Sequence, residues 1–355
     1  MKRVITLVLG LSLVAASCTL FGGSGAKGVF KSQDNGETYA SANAVDPKGS
    51  IASLEVNSLV MDRSNTDTLY VGSASGIHKT ENGGETWKYM IKDIKIADIS
   101  LDPANSMVLF AGGASDNNGK IIKSEDAGVT WKEVYTEPTQ NNPVLSVAVS
   151  SANSALVFAG LSNGEIVRSL DGGDSWQSSK DIGNAVLDIE FVSSGTAYVL
   201  SKNNGLYSTT DQGLNWNLIP VVLKAVESPN AFGNTIQFRQ AASSSVYNDM
   251  AIDPRNSSTI YVASEKGIMK TTDAGASWVL MNLPVSNQTL PVTAVTVHPD
   301  QSNTLLIAVG STIFKTTNGG STWESRKLGS EQRVRFIIID PDAVNNIYLG
   351  MTSAK

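Results

Sequence analysis

The sequence predicts an all-β protein, a seven-bladed β-propeller of four-stranded antiparallel blades. Its ring is expected to be closed by a composite blade made from N- and C-terminal strands. Three observations carry this reading. One octapeptide recurs seven times at near-constant spacing, every tryptophan sits at one phase of it, and the first and last repeat units are complementary halves.

The octapeptide is centred on Asp34, Asn82, Asp126, Asp171, Asp211, Asp273 and Asn318, at intervals of 48, 44, 45, 40, 62 and 45 residues. A Ser or Thr stands two residues before each centre, a Gly two after, and a Ser, Thr or Asn four after. The last position is Tyr39, then Trp87, Trp131, Trp176, Trp216, Trp278 and Trp323, which are all six tryptophans of the chain. Each residue type suits a hairpin turn. Asp or Asn accepts backbone N–H groups within the turn. Gly takes a left-handed conformation that other residues avoid. The hydroxyls satisfy leftover backbone groups. The aromatic side chain buries ~150–250 Å² between neighbouring sheets.

A second turn signal precedes each octapeptide. Its clearest forms are Asp102-Pro103-Ala104-Asn105, Asp253-Pro254-Arg255-Asn256 and Asp340-Pro341. Looser forms are Asp62 to Asn65, Ser150 to Asn153 and His298-Pro299, and Phe191 to Gly195 is the most degraded. Apolar alternating runs flank each one, as in Leu69-Tyr70-Val71 and Ile260-Tyr261-Val262. Each unit therefore reads strand, turn, strand, short loop, strand, octapeptide turn, strand. Four antiparallel strands in ~45 residues make one propeller blade.

The ends complete the count. The first octapeptide has no strand pair before it, and the pair 334–339 and 347–351 has no octapeptide after it. Joined, the two halves form a seventh blade and leave no open sheet edge in the ring.

The expected domains are a leader over 1–17, a flexible tether over 18–27 and the propeller over 28–355. Lys2 and Arg3 supply a positive start, Val4 to Ala16 is almost wholly apolar, and small residues follow. That run is short for a membrane span and fits a cleaved signal. Val14-Ala15-Ala16-Ser17-Cys18 resembles a bacterial lipobox, which implies that Cys18 becomes an acylated N-terminus. Cleavage to a secreted, unlipidated chain is the alternative. Two or more acyl chains would hold the protein stably, at ~0.8 kcal/mol per buried methylene. Cys18 is the only cysteine, so an intrachain disulfide is impossible. Gly22, Gly23, Ser24 and Gly25 suit a tether.

The chain has 27 basic residues, Lys2 and Arg3 among them, against 33 acidic ones. This balance argues against nucleic acid as a partner and against electrostatic docking on anionic lipid. His78 and His298 fall at unrelated phases of the repeat and read as structural. No His/Cys cluster has metal-ligand spacing, so no metal or cofactor is expected. No nucleophile elbow or phosphate loop is present. The Gly-Gly pairs at 83–84, 172–173 and 319–320 belong to octapeptides.

The octapeptide resembles the Asp-box, or BNR, repeat of sialidases, xyloglucanases, sortilin and the photosystem II assembly propeller. The resemblance covers nearly the whole chain after the leader and implies architecture. It does not transfer an activity. Sialidases carry an early Arg-Ile-Pro motif and three substrate-binding arginines. Here no Arg-Ile-Pro occurs, only seven arginines follow the leader, and none precedes the first octapeptide. Xyloglucanases place their carboxylates between two propellers, and this chain carries one.

Two departures from the repeat are candidate sites. The 62-residue interval holds an insertion between Pro220 and Val246 with Phe232, Phe238 and Arg239. It is expected on the face opposite the octapeptides. It is either an interface or a tolerated surface loop. The second departure is a column at the start of the innermost strands: Ser58, Asp98, Ser146, Asp188, Asp249, Ala294 and Phe336. Glu190 lies two residues along from Asp188, on the same side of its strand. Asp98, Asp188, Glu190 and Asp249 could form a polar pocket at the channel mouth for a cation, a sugar or a basic peptide. The blander reading, which the commonness of Asp at turns favours, is that they hydrogen-bond loop backbone. The leading expectation is a lipid-anchored scaffold that binds another envelope or extracellular protein. The alternative is a carbohydrate-active protein, a glycan binder or glycosidase.

Overall fold

In the computed structural model the described residues are 25–221, 227–229, 235–237, 246–284 and 291–354. They form seven four-stranded antiparallel sheets, one per blade, and a separate two-stranded ribbon. No helix occurs among them, and none is long and apolar enough to cross a membrane. Cys18, Phe232, Phe238 and Arg239 lie outside the described residues.

The innermost strands are Ser58–Met61, Lys95–Asp102, Val144–Ser150, Val186–Phe191, Tyr247–Ile252, Val292–Val297 and Arg333–Ile339, in blades 1 to 7. Each packs beside the next around the axis, and the seventh returns to the first. Blade 7 is the composite. Gly28–Ser32 pairs with Ile347–Thr352, with Phe30 opposite Leu349, and Ala40–Ser41 forms its outer edge. The first and last strands of the ring are thus joined by a full ladder.

The hairpin turns repeat one geometry. In blade 2, Ser124 Oγ donates to Asp126 Oδ1 at 2.8 Å and accepts from Gly128 N at 2.8 Å. Asp126 then accepts from Thr130 N at 2.8 Å and from Thr130 Oγ1 at 2.6 Å. The glycine has positive φ as expected, 87° at Gly128. The residue before it is left-handed too, including Asn35, Ala127, Gln212 and Ala274, with φ of 55–60°. Two consecutive positive φ values and the Val129 N to Asp126 O bond define a type I′ turn, whose twist matches the hairpin.

The aromatics cap or fill the seams between blades. Trp87, Trp278 and Trp216 are buried, whereas Trp131, Trp176 and Trp323 are half-buried. Trp131 Nε1 donates to Gly128 O, and Trp87 Nε1 reaches Ala42 O of the composite blade's exit. His298 stands in for the turn Asp, because its Nδ1 accepts Asp300 N as Asp62 Oδ1 accepts Ser64 N.

Strand order fixes two faces. The octapeptide turns and the first-to-second strand turns lie on one face. The second-to-third strand loops and the blade-to-blade connections lie on the other. The connection leaving Ile219 and returning at Tyr247 therefore departs from the face opposite the octapeptides. Within it, Glu227–Pro229 pairs antiparallel with Thr235–Gln237.

Candidate functional site

The candidate site is the axial channel, entered from the connection face. Six of the seven innermost strands carry a bulge in the same place, just before Asp98, Ser146, Asp188, Asp249, Ala294 and Phe336. A bulge re-aims the following side chain. Three of the bulged or equivalent residues also bridge to the next blade. Asn57 Nδ2 donates to Ile96 O, Asn248 Nδ2 to Val292 O, and Thr293 Oγ1 to Val334 O. On the second strand, the residue opposite the column is small in most blades. A Cβ at Gly112 would sit 2.6 Å from Val144 Cγ1 of blade 3, so the next blade's innermost strand needs glycine there.

The three carboxylates of the column and Glu190 beside it have different partners. Asp98 Oδ1 accepts from Ser58 Oγ at 3.0 Å and Ile99 N at 2.9 Å. Its Oδ2 accepts from Val147 N at 2.9 Å and Ser146 Oγ at 3.3 Å. Asp249 Oδ2 accepts from Val295 N at 2.8 Å, the same bond three blades further round, between blades 5 and 6. Glu190 receives the Ile252 N–H, as Ser100 Oγ receives the Val149 N–H at 3.2 Å. Asp188 has no bond from a neighbouring blade among the described residues. The column therefore staples blades together at Asp98, Glu190 and Asp249 and leaves Asp188 to face the channel.

Protein surrounds these groups on nearly every side, although each keeps a small accessible surface on the channel. Burial pushes Asp98 up to about 6 against the bonds from Val147 and Ser58. It pushes Asp249 up to about 7, against the Val295 bond and the Arg335 charge. Glu190 rises to about 8 through burial and the charge of Asp249, partly countered by Ile252 and Arg63. Asp188 is raised well above the usual carboxylate range, by burial first and then by Glu190, Asp249 and Asp98. Near neutral pH the cluster thus holds protons, and it can both donate and accept hydrogen bonds.

Arginines offset part of this charge. Arg335 Nη1 donates to Asn248 O at 3.1 Å, reaching across from blade 7 to blade 5. Arg333 and Arg335 stand on the innermost strand of blade 7. Arg63 sits in a turn on the octapeptide face and acts on Glu190 along the channel. Among the described residues, no three His, Cys, Asp or Glu side chains converge to hold a metal ion.

A concavity lies elsewhere, at the seam of blades 6 and 7, lined by Tyr39, Leu306, Ile313, Lys315 and Arg326 among others. Its volume is about 10 Å³, room for one water at most. Tyr39, which lines it, is the one octapeptide aromatic that is not tryptophan. The Tyr39 hydroxyl is buried there without a partner among the described residues. Arg326 pairs with Glu37 and Lys315 Nζ donates to Asn35 O at 2.9 Å, which closes the seam.

Comparison with known proteins agrees with this architecture. The solved GH74 xyloglucanase of Xanthomonas campestris superposes with a TM-score of 0.66 at 14% identity, over 85% of this chain and 51% of that one. YCF48 of Cyanidioschyzon merolae superposes with a TM-score of 0.58 at 12% identity, over 84% and 95%. By fold the chain stands with the seven-bladed β-propellers. In sequence it is 27% identical over 169 residues to the photosystem II assembly lipoprotein Ycf48 of Synechococcus sp. (strain CC9902). That match covers 45% of this chain and 49% of the relative, so the chain spans about half the relative's length. No protein-family model matches the chain.

Proposed function

We propose that the propeller is an extracytoplasmic lipoprotein, anchored through Cys18, that acts as a binding scaffold for another envelope protein. Its binding face is the connection face, which carries the channel mouth and the insertion between Pro220 and Val246. The observation that carries this reading is the placement of the carboxylates. They stand on the innermost strands around the axis and three of them are bonded to neighbouring blades, whereas glycoside hydrolysis needs two carboxyls free to act on substrate in an open cleft. The likeness to a protein named as an assembly lipoprotein supports the same reading. The acidic balance favours a partner with basic or neutral polar groups over nucleic acid.

A glycan is the second candidate ligand, because the fold is shared with a xyloglucanase. Against it, every tryptophan belongs to an octapeptide turn on the far face or its seams, and none is placed at the channel mouth for sugar stacking.

The test is crosslinking in the native cells, purification through a C-terminal tag and mass spectrometry of what comes with the protein. A discrete envelope protein, lost when residues 222–245 are replaced by a short Gly/Ser linker, supports the scaffold. Release of reducing ends from xyloglucan by the purified chain, abolished by Asp188→Asn, would overturn it in favour of the hydrolase.

A further inference from the structure

We propose that the N-terminal tether holds the connection face toward the membrane and the octapeptide face away from it. The inference rests on the acylation of Cys18 and adds an orientation to it.

The start of the propeller is pinned on the connection face. Gly28–Ser32 is the third strand of its blade, so the chain enters it from the end shared by the second-to-third loops and the blade connections. Hydrogen bonds fix that entry point. Ser330 Oγ donates to Ala26 O at 2.8 Å, Lys27 N donates to Ala52 O at 2.7 Å, and Gly28 N donates to Leu54 O at 3.1 Å. Residues 52 to 54 and 330 all belong to blade connections on this face. The C-terminal end emerges beside them, where Lys27 Nζ donates to Ser353 Oγ at 3.3 Å.

Only eight peptide links separate Cys18 from the pinned Ala26. Eight links reach about 30 Å at full extension, and an unrestrained chain of that length spans about 15 Å root-mean-square. The two faces stand roughly 20–25 Å apart, the length of a seven-residue strand such as Arg333–Ile339. Turning the octapeptide face to the membrane would demand a nearly extended tether, at a cost in chain entropy. With the connection face inward, the tether stays near its relaxed length. The acidic balance offers no competing attraction to anionic lipid that would reorient the body. The channel mouth then lies in the layer next to the bilayer, so the partner is a membrane-associated protein engaged through a segment close to the membrane surface.

The test uses the full acylated protein, reconstituted in phosphatidylcholine vesicles with acceptor-labelled headgroups. Cys18 is the only native cysteine, so a cysteine introduced elsewhere gives a single labelling site. Asn203→Cys places a donor on an exposed connection-face loop, and Asp174→Cys places one on an exposed octapeptide turn. The expected result is severalfold more efficient transfer from position 203 than from position 174. A tether lengthened by about twenty Gly/Ser residues between Gly25 and Ala26 is expected to erase the difference, since its relaxed span then exceeds the thickness of the body. Equal transfer from both sites with the native tether, or more from 174, overturns the orientation. A difference that survives lengthening overturns the tether as its cause. Vesicle binding that persists in Cys18→Ala overturns the acylation reading itself, separately from the orientation.

Discussion

Asp98 Oδ2 lies 2.9 Å from the amide nitrogen of Val147, one blade further round the ring. The other oxygen of the same carboxylate takes the Ser58 hydroxyl of the preceding blade at 3.0 Å. A single side chain thereby ties three blades at the axis, where no strand ladder joins one sheet to the next.

Asp98→Ala is therefore expected to destabilise the propeller by roughly 2–3 kcal/mol, since it strands a buried amide and two hydroxyls. Asp98→Asn is expected to cost less, because one amide oxygen can still accept. Asp188 behaves oppositely. Asp188→Asn removes repulsion with Glu190 and Asp249 and breaks no inter-blade bond among the described residues, so it is expected to leave stability unchanged or raise it at pH 8. Denaturant unfolding of the three variants checks the contrast. A loss at Asp188→Asn as large as at Asp98→Ala would contradict the different roles assigned to them.

The pH dependence of stability has two limbs of opposite sign. In the octapeptide turns, Asp34, Asp126 and Asp171 are lowered to about 2, chiefly by the Ser or Thr hydroxyl four residues on, and Asp211 to about 2 by the Asn215 N–H and side-chain amide. Their contribution is present above the ordinary carboxylate value and is lost as pH falls toward 2. Asp98, Asp249 and Glu190 are raised to about 6, 7 and 8, so their contribution is full below pH 4 and is lost as pH rises through those values. Thermal unfolding is expected to peak in mild acid, between about pH 4 and 5. In Asp188→Asn/Glu190→Gln the fall toward pH 8 is expected to flatten, with the acid limb unchanged.

The left-handed residues of the turns give a third expectation. Ala127 and Ala274 hold φ of 57° and 55°, a conformation that costs a residue with a Cβ about 1–2 kcal/mol. Ala127→Gly and Ala274→Gly are each expected to stabilise by about 0.5–1 kcal/mol after the added chain entropy of glycine. Gly173→Ala is expected to destabilise strongly, because its Cβ would meet the Phe110 ring at 2.6 Å at a φ of 94°. Melting temperatures measured side by side decide both signs.

Tyr39 offers a fourth. Its hydroxyl is buried beside the small cavity and finds no partner among the described residues. Tyr39→Phe is expected to leave stability within about 0.5 kcal/mol of the parent or to raise it, as no hydrogen bond is lost. A loss above about 1 kcal/mol in equilibrium unfolding would point to an ordered water bridging that hydroxyl.

The blade count, the closure and the column of Asp98, Asp188 and Asp249 were legible because each repeats at a fixed phase. The octapeptide shows in the sequence since its turn needs Asp, Gly and a hydroxyl at set positions. The left-handed residue before the glycine was hidden, as Asn35, Gly83, Ala127 and Gln212 share the conformation without sharing chemistry. The inter-blade bonds were hidden for a different reason. Whether Asp98 meets Val147 depends on a bulge at the start of its strand and on the register between sheets, and neither leaves a residue signature. Arg63 escaped notice because its turn is distant in sequence from Glu190 and close to it only through the channel.

Scaffold function requires that a partner be held on the connection face. A photocrosslinking residue placed at Asn203, on that face, and at Asp174, on the octapeptide face, tests it in the native cells. One discrete envelope-protein adduct is expected from position 203, weakened by Asp188→Asn/Glu190→Gln, and none from position 174. An adduct that forms only from position 174 would contradict it and move the binding surface to the opposite side of the ring.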